Sequence, residues 1–188
     1  MTTSPATGPK FEPMKLLQRL ISIVLIALLP ATACAIDDSS KPTWGHPNHG
    51  LTSGIAITGR QFAAGKPILL SYTVQNLTKK PVRIWHSGFW PNHQLRVCDQ
   101  NGKLATLRPF GQERFNAFSP GGERRKNFPV EIAPGEEDKS DGEMQDIAQL
   151  YDLSAPGIYS VQVLYEEYQG GWEGQLWSNI IIIQIVAQ

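Results

Sequence analysis

The sequence predicts an all-β fold, an antiparallel two-sheet sandwich of about eight strands behind a short leader, and three observations carry that expectation. Short segments with strand periodicity follow one another from Leu51 to Val186. Turn chemistry separates them, at Asn76-Leu77-Thr78-Lys79-Lys80-Pro81, Asp99-Gln100-Asn101-Gly102, Ala133-Pro134-Gly135-Glu136 and Gln169-Gly170-Gly171. Only Asp146 to Leu153 carries a helical period.

Taken in order, the first strand is Leu51 to Ile57. Ile68 to Asn76 is the clearest, with Leu70, Tyr72 and Val74 on one face as the pleat requires. Val82 to His86, His93 to Cys98, Lys103 to Arg108 and Lys126 to Ile132 follow. Trp85 has the opposite parity to Val82 and Ile84, which points it outward unless a bulge intervenes. The last two strands are Gly157 to Glu166 and Trp177 to Val186. In the final run Ile180 to Ile183 is apolar on both faces, which predicts that it lies away from a solvated sheet surface, covered by the N-terminal linker.

The strand after Pro156-Gly157 adds detail. Tyr159, Val161, Val163 and Tyr165 fall on one face, and Ser160, Gln162 and Glu166 on the other. The spacing Asp152, Gly157, Tyr159, Val161 resembles the tyrosine corner of immunoglobulin-type sandwiches, in which the tyrosine hydroxyl bonds back to upstream backbone. Two residues after that tyrosine antibody domains carry a cysteine, and here Val161 stands there. The resemblance therefore implies an immunoglobulin-like sandwich without the inter-sheet disulfide.

From Met14 the chain reads as a secretory signal. Lys15 and Arg19 form a positive region, Leu20 to Leu29 an apolar stretch too short to span a bilayer, and Ala31-Thr32-Ala33-Cys34-Ala35 a small-residue cleavage region. Cleavage after Ala35 releases a soluble protein. Cleavage after Ala33 leaves Cys34 at the new N-terminus, as in bacterial lipoproteins, whose lipobox Ala31 to Cys34 resembles except that Ala31 replaces a large aliphatic residue. Both registers stay open. The expected division is residues 1–35 as N-terminal extension and signal peptide, 36–50 as linker and 51–188 as the sandwich domain.

The whole chain has 17 basic and 17 acidic residues; losing Lys10, Lys15, Arg19 and Glu12 with residues 1–35 leaves a formal charge of −2. Such a balance gives no footprint for nucleic acid, and a membrane enters only through lipidation at Cys34. Without Cys34 the mature chain keeps Cys98 alone, so it forms no internal disulfide.

If strands alternate direction strictly, every second loop lies at the same end. One end then collects the loops of residues 58–67, 87–92, 109–125 and 168–176, bringing together Phe89, Trp90, Arg114, Arg124, Arg125 and Trp172. Exposed aromatics and arginines on loops of a rigid scaffold make a binding surface, and these six are the expected ligand contacts. The bland alternative is that several of these rings fold back to plug the open end.

No motif for a nucleophile elbow, phosphate loop or zinc helix is present, and no catalytic residue is assigned. His86 and His93 flank one loop and offer a metal-handling alternative, while alternation sends His46 and His49 to the other end. No cofactor is expected.

Gln75-Asn76, Leu95 to Lys103, Ala133-Pro134-Gly135-Glu136 and Leu150 to Tyr159 together resemble secreted bacterial sandwich domains. They are also similar to the β-domain of deuterolysin-type metallopeptidases and loosely to the intracellular proteinase inhibitor family. The resemblance implies a scaffold, and through the inhibitors a protease-binding alternative, but no catalytic residue. The expected function is a non-catalytic binding or accessory module, exported to the periplasm or beyond, contacting a protein or envelope ligand.

Overall fold

Strand β10 (Gly157–Glu167) is the centre of the fold. Along one side it pairs antiparallel with β6 (His93–Asp99), from Tyr159↔Asp99 to Tyr165↔His93. Its other side is shared: β12 (Ile181–Val186) takes the first half and β11 (Gly174–Trp177) the second. The short strand β3 (Gln61–Ala63) completes this sheet by pairing parallel to β12. The computed structural model describes residues 43–86, 92–117, 128–139, 144–168 and 171–188, all within the unit Asp38–Gln188.

The other sheet is built on β2 (Leu51–Ile57) and β4 (Leu69–Asn76), antiparallel from Leu51↔Asn76 to Ile57↔Leu70. Strand β1 (Thr43–Trp44) extends it beyond β2, and β8 (Glu137–Asp138) and β9 (Gln145–Asp146) both pair with β4. A separate ribbon joins β5 (Val82–His86) to β7 (Phe128–Ile132). Among the described residues two helices, α1 (Pro109–Ala117) and α2 (Ile147–Leu150), interrupt the strands.

The period of two decides what is buried. Leu51, Ile55, Ile57, Leu70, Tyr72 and Val74 come from one sheet; Leu95, Val97, Tyr159, Val161, Val163, Tyr165, Ile181, Ile183 and Ile185 come from the other, and together they form the core. Each such aliphatic side chain contributes roughly 1.5–3 kcal/mol by leaving water. The molecule is thus an all-β, antiparallel two-sheet sandwich with one parallel pairing. Tyr159 forms the expected corner, its hydroxyl donating to the Ala155 carbonyl at 3.0 Å.

Two asparagines, one buried and one half-buried, stitch the sheets to their loops. Asn76 is fully buried; its Nδ2 donates to the carbonyls of Lys80 at 2.8 Å and Ile132 at 2.9 Å, and its Oδ1 accepts from the amide and hydroxyl of Thr78. One amide thereby holds the turn after β4 and the end of β7. Asn179 acts as a substitute strand residue: its Oδ1 accepts from the Ile55 amide at 2.7 Å, and its Nδ2 donates to Thr43 Oγ1 at 2.8 Å. The linker enters through Gly45, whose amide donates to Ser53 O; a Cβ there would stand 1.9 Å from the Trp177 carbonyl, so only glycine fits.

Several sequence expectations are revised. The last predicted strand is two, because Ser178–Ile180 breaks between β11 and β12. Residues 103–108 return alongside β6 and 150–152 through isolated bridges, Cys98↔Leu104 and Leu107↔Tyr151, rather than as a continuous strand. Pro109–Ala117, expected as loop, is helical: Pro109 suits a first helical turn, and Gly111 lets the helix approach the Leu150 carbonyl, which a Cβ would meet at 2.3 Å. The helical period from Asp146 yields only α2, because Tyr151 turns extended to bridge Leu107 and donates its hydroxyl to the Leu95 carbonyl. The final run is not covered on both faces. Ile182 is 53% exposed and Ile180 59%, since the linker lies along β2 and the Ser178–Asn179 corner. The leader, its cleavage region and Cys34 lie outside the described residues.

Replacing Asn76 with alanine takes a buried donor from the Ile132 carbonyl, while the carbonyl of exposed Lys80 keeps the Thr78 hydroxyl, and is expected to cost about 2 kcal/mol. The shift in urea midpoint measures it; a loss under about 1 kcal/mol would show that the Ile132 carbonyl finds another donor.

Candidate functional site

The chain does not cross the sandwich in β5, and this rearranges the loops. Val82 follows the Asn76 to Lys80 turn, yet Arg83 O already accepts from the Trp172 amide at 2.8 Å and Trp85 O from Tyr165 at 3.2 Å. Both ends of this short strand therefore stay at one end of the molecule, and the alternation of loop positions slips by one. As a consequence, the linker lies against the turn between β10 and β11, not opposite it: Asn48 Nδ2 donates to Gln175 O at 2.8 Å, and His49 Nδ1 lies 3.1 Å from Glu173 O. At the far end sit the β2–β3 connection, the turn after β6 and the start of β10, held together by Gln184↔Gln61, Gly157↔Ile185 and Tyr159↔Asp99.

Of the expected contact residues, Phe89, Trp90, Arg124 and Arg125 lie outside the described residues. Arg114 is in α1, its guanidinium 4.9 Å above the Phe110 ring. Trp172 is inside. It is only 6% exposed, packed at 6.0 Å from Tyr165 and 6.4 Å from His49. Its indole N–H has no hydrogen-bond partner among the described residues, so the ring serves as an apolar plug. Trp85 is half-buried, next to buried Ile84.

Beneath Trp172 is a buried aromatic and polar cluster. His93, 8% exposed, lies edge-on to Tyr72 at 4.4 Å and against Tyr165 at 5.0 Å. Glu167 is buried as well, and its Oε2 accepts from Asn92 at 3.0 Å while Oε1 accepts from the Tyr168 amide at 2.9 Å. Continuing the alternation of β10 by one residue past Glu166 places Glu167 inward, the signal that finds it in the sequence. Burial pushes the Tyr165 phenol up, reinforced by the negative charge of Glu167. The Tyr151 phenol is likewise pushed up to about 12, by burial first and then by Cys98. Among the described residues no group of three histidine, cysteine or carboxylate side chains is placed to hold a metal ion.

The accessible chemistry is on the outer face of the β10 sheet at this same end. Glu166 points outward between β6 and β11, and three side chains converge on its carboxylate. Gln94 Nε2 donates to Oε2 at 2.7 Å, Gln175 Nε2 to Oε1 at 2.6 Å and the Tyr168 hydroxyl to Oε1 at 3.0 Å. The next row pairs Leu164 with Gln94 on one side and Trp177 on the other. Leu164 faces outward by alternation but is only 5% exposed, because these neighbours cover it. Arg96 lies over the Trp177 ring at 5.6 Å, and Tyr168 stands 65% exposed. The surface offers planar donors, acceptors and an oriented phenol ring.

No protein-family model and no curated protein matches the chain. Among solved structures it is similar to a CARDB domain from Pyrococcus furiosus, crystallised in complex with di-metal ions, at 19% identity and a TM-score of 0.35, over 80% of this chain and 97% of that one. At that distance no residue role passes from one to the other.

The raised phenols set a pH dependence. The folded state keeps Tyr151 neutral above the ordinary phenol value of 10.0 and up to about 12, so its stabilising effect is complete below pH 10 and is lost as pH rises through 12. Wild type is expected to lose on the order of 2–3 kcal/mol more than Tyr151→Phe over that interval, read from urea midpoints. Equal losses would show that Tyr151 is not the group responsible.

Proposed function

We propose that this chain is an exported, non-catalytic binding module whose contact surface is the outer face of the β10 sheet, where that face meets the turn between β10 and β11. The single observation that supports the reading most is the convergence of Gln94, Gln175 and Tyr168 on Glu166. Long polar side chains on an exposed strand face lose rotamer freedom when fixed, about 1.5–2 kcal/mol each, and surface hydrogen bonds return little of it. An ordered array of this kind is already arranged for a ligand, which then meets a surface with less freedom left to lose.

This reading keeps the aromatic loop of the sequence expectation but changes its working residue. Trp172 fills the interior, and Tyr168, four residues earlier in the same turn, is the ring presented to solvent. Arg96, held over Trp177, takes the arginine role among the described residues. The secretory pattern from Met14 to Ala35 supports export, and the partner is an envelope component or another exported protein.

The test is binding of the purified mature chain to cell-envelope fractions. The double variant Tyr168→Ala, Gln175→Ala is expected to bind about tenfold more weakly or worse with its urea midpoint unchanged. Trp172→Ala, by contrast, is expected to cost about 3–5 kcal/mol of stability. Unchanged binding by the double variant removes this surface. Export is read from the intact mass of the chain recovered from cells. A soluble species beginning at Ile36 is expected, a lipidated one beginning at Cys34 adds a membrane tether, and an uncleaved chain contradicts export.

A further inference from the structure

We infer that the Glu166 array takes a neutral saccharide, a conclusion that rests on the binding-module reading above and gives it a ligand class. The array keeps hydrogen-bonding capacity that its own contacts do not use. Each glutamine gives one N–H to the carboxylate, which fixes the orientation of its amide and leaves a second N–H and the carbonyl oxygen for a ligand. The carboxylate has about four acceptor sites, of which these bonds occupy three. The surface therefore presents donors and acceptors side by side. Hydroxyl groups, which both donate and accept, match that mixture.

Charge separates this class from others. A phosphate or sulfate only accepts, and it would face the Glu166 carboxylate across the array. A metal cation would need acceptor oxygens where both amides present N–H groups. A neutral polyol meets neither obstacle. The ring of Tyr168 completes the match: its hydroxyl is anchored to Glu166, so an exposed aromatic face is held at fixed orientation, and the C–H face of a pyranose packs on such a ring. Anchored aromatics are efficient contacts because little freedom is lost on binding.

Size follows from the convergence. Gln94 and Gln175 come from the two strands that flank β10, but their amide nitrogens lie 2.7 and 2.6 Å from the oxygens of one carboxylate, so the polar part of the array matches a single sugar ring, with Tyr168 beside it. An extended peptide would instead pair with a strand edge and leave this face unused.

The experiment is affinity electrophoresis of the mature chain in gels carrying neutral glycans, namely dextran, mannan, galactan, β-glucan and a soluble chitin derivative. The side-chain amide signals of Gln94 and Gln175 are followed by NMR with the same glycans. Retardation by at least one glycan is expected, with both amide signals shifted. Tyr168→Ala and the pair Gln94→Ala, Gln175→Ala should weaken it about tenfold, and Tyr168→Phe, which keeps the ring but loses the anchor, by less. Folding of each variant is checked by its urea midpoint. No retardation by any glycan overturns the inference, as does retardation that persists in the variants with both amide signals unmoved. If envelope binding remains sensitive to Tyr168 and Gln175 while no glycan binds, the saccharide is wrong and the binding module stands; if neither is seen, both fall.

Discussion

The alternation of β10 is the constraint on which the rest of the molecule depends. It pairs on both sides along its length, so each residue must point either into the space between the sheets or out to solvent. The inward set runs Tyr159, Val161, Val163, Tyr165 and Glu167, and closes on the buried cluster around His93 and Trp172. The outward set runs Ser160, Gln162, Leu164 and Glu166, and ends in the exposed array. Core and candidate surface are two faces of one strand. A slip of one residue in its register would exchange them, exposing two tyrosines and turning Ser160 and Gln162 inward.

Much of this was legible in the residues because it is local. Alternation alone identified the faces of β4 and β10, and the turn before Tyr159 announced the corner that its hydroxyl makes. What was not legible depended on distance. Nothing near Val82 says that β5 pairs with β7 in a ribbon confined to one end, and that single fact displaced the loop assignments. Trp172 sits in a turn rich in glycine, where an aromatic ring looks exposed. Its burial is decided by Tyr165 on the strand before it and by His49, which comes from the far-off linker.

The polar interior obeys a simple rule as well. Where the backbone lacks a strand partner, an asparagine amide supplies one, since it carries a donor and an acceptor in the geometry of a peptide group. Asn76 does this for a turn and a strand end, and Asn179 for an edge of β2. Asp146 works similarly with its carboxylate, accepting from Ile68 at 2.9 Å while capping α2 through Ala148 at 3.1 Å. Loops thereby inherit the rigidity of the sheets, which is what an ordered surface beside them requires.

The seam made by Thr43, Gly45 and Asn179 also has a mechanical meaning. The linker and β2 form a hairpin whose open end is at Thr43↔Ile55, with the Asn48 to Leu51 turn closing the other end. A pull arriving from the chain upstream of Thr43 and directed away from the sheets loads the Asn179 bond and that first pair before any other. Its bonds then yield one after another, as in a zipper, instead of sharing the load. The linker would peel ahead of β2, so force on the N-terminal side is dissipated in this seam before it reaches the pairing of β2 with β4.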